Sequence, residues 1–586
     1  ATLRGRQVEI TYIVLHSSSP LPKPDPVVHL VGGPGGSAVG SLNYRTDIFQ
    51  TLRRSRDIVL FDQRGTQYSS RLDCNPYFQV LSAQVEDDPE LASQLEELAA
   101  EDEQLTPSIL QTQIAMSACA RGMSRLGVDL SQYNSVNNVR DITALVSALG
   151  YQHFNLYGIS YGTRLALTLM RDGPYVSAAT SPVTLRSVVL DSAYPVQINN
   201  YENTTNLNEE VIQQLFEDCT RDAVCRTEYP NLEARFGALL TRLDESPIAV
   251  DEPIELFFSG QVVRQVTPAI ARLLVSRFLD GEPWFAPYFP RIIHELEAGE
   301  TATLALALSG QLRDDSDPTA PADPAALPTE ERRSQVEVQW REEARREVRQ
   351  RPGYSWLNNA YDLASDLPEP IREEALLELN LINAAPRTAG TLKQYVEAYF
   401  TEEPATTLLA DLEALSPDQV RAAFEVISDL NNSGSTEGMH YSVECHEEFA
   451  FNDRERAQAI YEGLSFPLLG TAGWTVTNQI EAVCAVWPSG RAAAIENEPV
   501  ASDVPTLVMA GAYDSQTPPS WNQLALTPLT NAHYVAFPNT GHGAIAYSHC
   551  AQQVSAAFID APTQPPDSDC TQTLQPRFVG LEEPLN

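Results

Sequence analysis

Positive charge is scarce in this chain, and lysine is nearly absent. Of 586 residues only Lys23 and Lys393 are lysines, and arginine supplies almost all of the 39 basic groups. Set against 78 acidic residues, this leaves a net charge of −39. Phosphate would be repelled, which argues against nucleic acid or an anionic membrane surface as a partner. No apolar run reaches the roughly 18 residues that a spanning helix needs, so no membrane span is expected. No H-E-x-x-H, C-x-x-C or paired Cys/His spacing occurs, so neither a metal nor a cofactor is expected. The opening Ala1-Thr-Leu-Arg-Gly-Arg6 has no signal-peptide pattern, and the chain reads as a processed or trimmed form.

Eight cysteines are present: Cys74, Cys119, Cys219, Cys225, Cys445, Cys484, Cys550 and Cys570. Their even number points to disulfides and an oxidising compartment rather than to buried thiols. Eight cysteines allow about 105 pairings, and spacing alone selects none of them. Cys219/Cys225 and Cys550/Cys570 are near enough in the chain for local bridges.

The length exceeds what one simple core accommodates, so either two domains or one domain with a large insertion is expected. In the first two hundred residues short apolar strands alternate with helices. Strands are expected at 27–31, 57–61, 154–157 and 185–190, with a helix over 139–149. The last ninety residues resume that alternation, with strands at 505–510 and 532–537 and a helix from about Cys550. Such alternation implies a mostly parallel sheet covered on both faces. Between the halves the segments are amphipathic and helical, as at 209–216, 270–278 and 408–430. Residues 314–329, rich in Pro, Ala and Asp, read as an exposed loop, and 330–351 as a highly charged helix. The expected organisation is therefore an α/β core over 1–199 and 496–586, interrupted by a helical cap at 200–495.

The most informative segment is Phe154-Asn-Leu-Tyr-Gly-Ile-Ser-Tyr-Gly-Thr-Arg-Leu-Ala-Leu167, a strand entering a helix through Gly158-Ile-Ser160-Tyr-Gly162. This is the pattern of a nucleophile elbow, in which a sharp turn lifts the serine hydroxyl to the N-terminus of the next helix. The flanking glycines are needed where a Cβ would strike neighbouring backbone. Val31-Gly-Gly-Pro-Gly-Gly-Ser37 follows the first strong strand and suits an oxyanion hole. Gly33 is the candidate donor there, with the N–H of Tyr161 as its partner. A phosphate-cradling loop would need a Lys-Ser/Thr or dinucleotide pattern that is missing. His542, in Asn539-Thr-Gly-His-Gly543 after a late strand, is the candidate base; His533 and His549 read as structural. Asp514, in Gly511-Ala-Tyr-Asp514, is the candidate orienting acid, giving the order Ser…Asp…His. Asp191 is a reserve acid, or else a cap on the following segment.

Taken together, Gly32-Gly-Pro-Gly-Gly36, Asp62-Gln-Arg-Gly65, Gly158-Ile-Ser-Tyr-Gly162, Asp514 before Thr517-Pro518, and Gly541-His-Gly543 resemble the prolyl aminopeptidase family of α/β hydrolases. The likeness is greater to its secreted branch, the tripeptidyl-aminopeptidase-like serine exopeptidases. Ser442-Val-x-Cys445-x-Glu447-Glu448 and Cys484-x-x-Trp487 also resemble that branch. Two positions depart from the pattern: Val31 stands where a histidine or similar residue is usual, and Gln67 replaces the second glycine of Asp-Gln-Arg-Gly-x-Gly. The resemblance implies an α/β-hydrolase fold, a Ser160–Asp514–His542 triad and export to the periplasm or beyond the cell. It also implies the pairs Cys74–Cys119, Cys219–Cys225, Cys445–Cys484 and Cys550–Cys570. The implied activity is release of N-terminal residues or short peptides from a peptide with a free N-terminus. Recognition of the α-amino group calls for a buried acid, for which Glu447, then Glu448, is the candidate. A carboxylesterase with the same triad is the alternative, and a binding protein on a degenerate scaffold a third; the oligomeric state is left open.

Overall fold

The computed structural model describes residues 7–102, 104–176, 182–282, 284–312, 352–430 and 436–585. The loop expected at 314–329 and the charged helix expected at 330–351 lie outside these residues. Among the described residues there are nine strands: β1 (Tyr12–Leu15), β2 (Val27–Leu30), β3 (Ile58–Phe61), β4 (His153–Ser160), β5 (Thr184–Ala193), β6 (Ile248–Glu255), β7 (Val262–Val266), β8 (Thr506–Gly511) and β9 (Ala532–Phe537). Seven form one sheet in the order β1-β3-β2-β4-β5-β8-β9. Only β1 runs antiparallel to its neighbour; the other pairings are parallel.

Both faces of this sheet are buried, and side chains alternate between them along each strand. Val28, Leu30, Val59, Phe61, Phe154, Leu156, Val188, Leu190 and Val508 point into one core. Val27, Ile58, Leu60, Tyr157, Ile159, Val189, Leu507 and Met509 point into the other. The helices Ser135–Ala148 and Tyr161–Val176 cover the first face, while Leu42–Ile48 and His549–Asp560 cover the second. A one-residue slip of any strand would exchange the two sets, so burial on both sides fixes the register.

Among the described residues, the chain between β5 and β8 adds no strand to the sheet. It forms one helical group around Val211–Leu312, which carries the separate β6–β7 hairpin, and a second group over Trp356–Phe424. A third stretch, Glu437–Cys484, returns to the sheet, where Met439, Tyr441, Val443, Ile480 and Val483 join its first core. Disulfides link Cys74–Cys119, Cys219–Cys225, Cys445–Cys484 and Cys550–Cys570. Lys23 pairs with Asp560 on the last long helix of the sheet domain, whereas Lys393 lies in the second helical group, facing Glu397. Among the described residues no helix is long and apolar enough to cross a membrane.

Candidate active site

Ser160 ends β4 and immediately precedes the helix Tyr161–Val176. Its φ is 59°, a left-handed conformation that a side-chain-bearing residue rarely adopts. The neighbouring glycines leave room for that turn. A Cβ on Gly158 would lie 2.6 Å from the Gly162 carbonyl oxygen, and one on Gly162 only 1.9 Å from that of Leu30. The glycine loop after β2 presses against the serine itself: a Cβ on Gly32 would sit 2.7 Å from Ser160 Cβ and 3.1 Å from its Oγ. Gly33, with φ of 120°, follows at once. Tyr161 is the first residue of its helix, so its N–H has no partner within that helix.

The Asp62-Gln-Arg-Gly motif holds this loop in place. Buried Asp62 accepts hydrogen bonds from the Ser37 hydroxyl at 2.9 Å, Val39 N–H at 3.0 Å and Tyr68 N–H at 3.1 Å. Gln63 donates through Nε2 to the Val31 carbonyl at 2.9 Å, and Arg64 forms a two-pronged pair with Asp141. Gln67, one of the two departures from the family pattern, accepts from Arg71 at 2.7 Å and is buried.

Asp514 and His542 are brought together by the loops after β8 and β9. His542 Nδ1 donates to Asp514, 2.9 Å from Oδ1 and 3.1 Å from Oδ2. The carboxylate also accepts Gln516 N–H, Thr517 N–H and the Thr517 hydroxyl at 2.8–2.9 Å. Burial pushes the Asp514 carboxyl up, but His542 and these donors outweigh it and hold the group below its ordinary range. Burial likewise disfavours the imidazolium, yet Asp514 and, further out, Asp280 and Asp191 raise His542 above 6.5. The flanking glycines have separate causes. Gly543 is left-handed at φ 79°, and a Cβ there would meet Ile159 at 3.2 Å, which places the histidine loop beside the residue before Ser160. Gly541 has no space at all, since a Cβ would lie 1.4 Å from the Asp280 carbonyl oxygen.

Asp191 does not cap the segment that follows it. It accepts N–H bonds from Ala544 at 2.8 Å and Ile545 at 3.0 Å, at the helix just beyond His542, and the Tyr157 hydroxyl at 3.0 Å. Burial lifts its carboxyl to about 6. The adjacent Ser192, left-handed at φ 62°, accepts Gly543 N–H at 2.7 Å. The end of β5 therefore anchors the histidine loop. Sequence reading missed this because the partners lie about 350 residues apart and no local pattern joins them.

Glu447 and Glu448 are both buried beside the elbow helix. Glu447 accepts the Ser135 N–H at 2.5 Å and the Ser135 hydroxyl at 2.6 Å, and it lies 3.4 Å from Arg164 Nε. Glu448 pairs with Arg164 Nη1 at 2.5 Å and accepts Asn200 N–H at 3.0 Å. Glu444, one turn earlier and equally buried, completes a cluster of three carboxyls around one guanidinium. Burial and then the neighbouring Glu448 hold Glu444 well above the usual carboxyl range; burial also lifts Glu448 to about 7. Arg164 and Glu444 were not singled out in the sequence. The i, i+3, i+4 spacing of Glu444, Glu447 and Glu448 on one helical face was the available signal. The Cys445–Cys484 bridge fixes this segment, and beside it Trp487 Nε1 donates to the Ser442 hydroxyl at 3.0 Å.

Two family models match the chain. Residues 25–256 match the alpha/beta hydrolase fold and residues 471–570 the TAP-like protein family. Tripeptidyl aminopeptidases from Streptomyces lividans and Streptomyces coelicolor are each 24% identical over 188 residues, which is 32% of this chain and 31% of theirs. The alignment thus spans about a third of the length of these relatives. Among solved structures, proline iminopeptidase of Mycobacterium smegmatis aligns over 97% of this chain and 93% of its own, at 11% identity and a TM-score of 0.30. Strands β2 to β5 with the left-handed serine turn fall inside the first matched region, and β8, β9 and the Asp514 and His542 loops inside the second, so the chain has the α/β-hydrolase fold with a C-terminal segment similar to the TAP-like proteins.

Proposed function

We propose that the protein is a serine exopeptidase that releases N-terminal residues or short peptides from substrates with a free amino terminus. The observation that carries this reading is the pair formed by buried Asp514 and half-buried His542, seated on two loops beside a left-handed Ser160. Because Nδ1 donates to Asp514, Nε2 of the neutral ring is left as the acceptor for the Ser160 proton. Ser160 Oγ attacks the scissile carbonyl carbon as Nε2 takes that proton. The N–H groups of Gly33 and Tyr161 receive the oxyanion. The imidazolium then protonates the departing amine, and water, deprotonated by the same ring, releases the acyl group.

Recognition of an ammonium group needs fixed negative charge close to the nucleophile. Arg164 lies one helical turn beyond Ser160, about 6 Å along the axis, and faces more carboxyl groups than it can neutralise. This surplus supports Glu447 and Glu448 as the source of the potential that holds the amine. Peptide chemistry is further supported by the likeness to tripeptidyl aminopeptidases. The four disulfides support a destination outside the reducing cytosol.

The test compares chromogenic amides of one, two and three residues carrying a free N-terminus with their N-acetylated forms and with a short aryl ester. Wild type and Ser160→Ala are assayed side by side. Cleavage that collapses on acetylation and vanishes in Ser160→Ala is the expected result. Equal turnover of blocked amides, or turnover of the ester alone, would replace the exopeptidase with a carboxylesterase.

A further inference from the structure

The first helical group touches the two catalytic loops through one carboxylate. Asp280 follows the π-helical turn Leu274–Leu279, whose Leu274, Val275, Phe278 and Leu279 are fixed in the core of that group. Its Oδ1 accepts the backbone N–H of His542 at 2.9 Å and that of Ser515 at 3.2 Å, and its Oδ2 accepts Gln516 Nε2 at 3.0 Å. One side chain therefore grips the residue that carries the base and the two residues after the acid. The backbone there is equally close, because the Asp280 carbonyl occupies the space a side chain on Gly541 would need. A second grip lies on the other side of Asp514. Tyr513 is buried in the core of the same helical group and donates its hydroxyl to Asp218 at 2.8 Å.

We propose that Asp280 is a positioning residue, through which the docked cap sets the backbone of the His542 and Asp514 loops and adds negative charge behind the imidazole. This rests on reading Ser160, Asp514 and His542 as the reacting groups. The loops after β8 and β9 join no helix at the residues concerned, so their N–H groups need an outside acceptor, and the cap supplies it. The charged and titratable groups around the pair are Asp514, Asp191, Tyr547, Arg277 and Glu282. Burial and then the charge of Asp514 hold the Asp280 carboxyl up at about 6, while His542 pulls it down. Above that pH Asp280 is anionic and favours the imidazolium that forms during attack.

Two substitutions separate geometry from charge. Asp280→Asn keeps an acceptor oxygen of the same shape but removes the charge; Asp280→Ala removes both. Each is measured for kcat and KM against pH on a free-amine amide, and for the rate at which a fluorophosphonate labels Ser160. The Asn variant should move the acid limb of kcat/KM to lower pH by about half a unit or more. The Ala variant should lower kcat and the labelling rate together by about tenfold or more, with KM within about twofold. If Asp280→Ala does not fold, the Asn profile decides alone. An Asn profile that superimposes on wild type overturns the inference, as does a folded Ala variant that changes KM only. Wild-type protein whose Ser160 is not labelled would instead overturn the triad reading.

Discussion

Gly162 is where a single methyl group should cost the most. A Cβ there would lie 1.9 Å from the Leu30 carbonyl oxygen and 2.5 Å from its carbon, against 3.4 Å or more for ordinary contact. Both partners are rigid: Leu30 ends the buried strand β2, and Gly162 lies in the first turn of the elbow helix. Relief requires helix and strand to separate by about 1.5 Å, and overpacking of this kind costs about 1–3 kcal/mol, occasionally more. The same shift moves Ser160, two residues away, relative to the Gly32–Gly33 backbone. A misplacement of about 1 Å is enough for a hundredfold loss of rate. Gly162→Ala should therefore lower stability by about 2 kcal/mol and kcat/KM by about 10²-fold. Gly237→Ala is the control. It lies inside the helix Leu232–Glu245, and its Cβ would meet only the Phe466 ring at 3.4 Å. That change should stabilise by about 0.5–1 kcal/mol, because glycine is a poor helix former. Urea denaturation and steady-state hydrolysis of a free-amine amide measure both effects. A Gly162→Ala protein within about 0.5 kcal/mol and twofold of wild type would refute the packing argument.

Two further outcomes follow from the buried acids. Thr517→Val removes the hydroxyl that donates to Asp514 Oδ2 at 2.8 Å, a bond to a charged group worth about 1.5–3 kcal/mol. It should lower kcat by about tenfold or more and leave KM nearly unchanged; a kcat within twofold would remove Thr517 from the site. Glu444 and Glu448 are acids whose native constants are raised from 4.5, that of Glu448 to about 7. Their contribution to stability is complete below the unfolded value of 4.5 and is lost as pH rises through the native values. Glu444→Gln cannot ionise, so its Tm relative to wild type should climb as pH rises above about 4.5. A constant difference across that window would show that Glu444 does not titrate there.

Much of the sheet was legible because its evidence is local. The apolar runs of β2, β3, β5 and β8 are short and bounded, and the elbow announces itself through two glycines around a serine. Strand β1 was not recognised: Tyr12–Leu15 is an edge strand, only partly buried, with no patterning to set it apart. The β6–β7 hairpin was missed inside a region read as helical, because its exposed faces carry Asp251, Glu252, Glu255 and Arg264 and little apolar signal. Asp280 was invisible for a different reason. One aspartate among 78 acidic residues has no distinguishing neighbour in sequence, and its partners lie 235 and 262 residues away. Its importance arises only when the cap folds back onto the loops. Asp191 was noticed, but its partners could not be inferred for the same reason.

The scarcity of lysine has a practical side. The only two side-chain amines sit on opposite parts of the molecule, Lys23 against the last long helix of the sheet domain and Lys393 in the second helical group. With the α-amino group blocked first near neutral pH, amine-reactive dyes therefore place one probe on each part without any engineered cysteine, in a chain whose eight native cysteines are all bridged. Energy transfer between Lys23 and Lys393 reads the separation of cap from core directly, and it can be followed while a peptide enters and leaves.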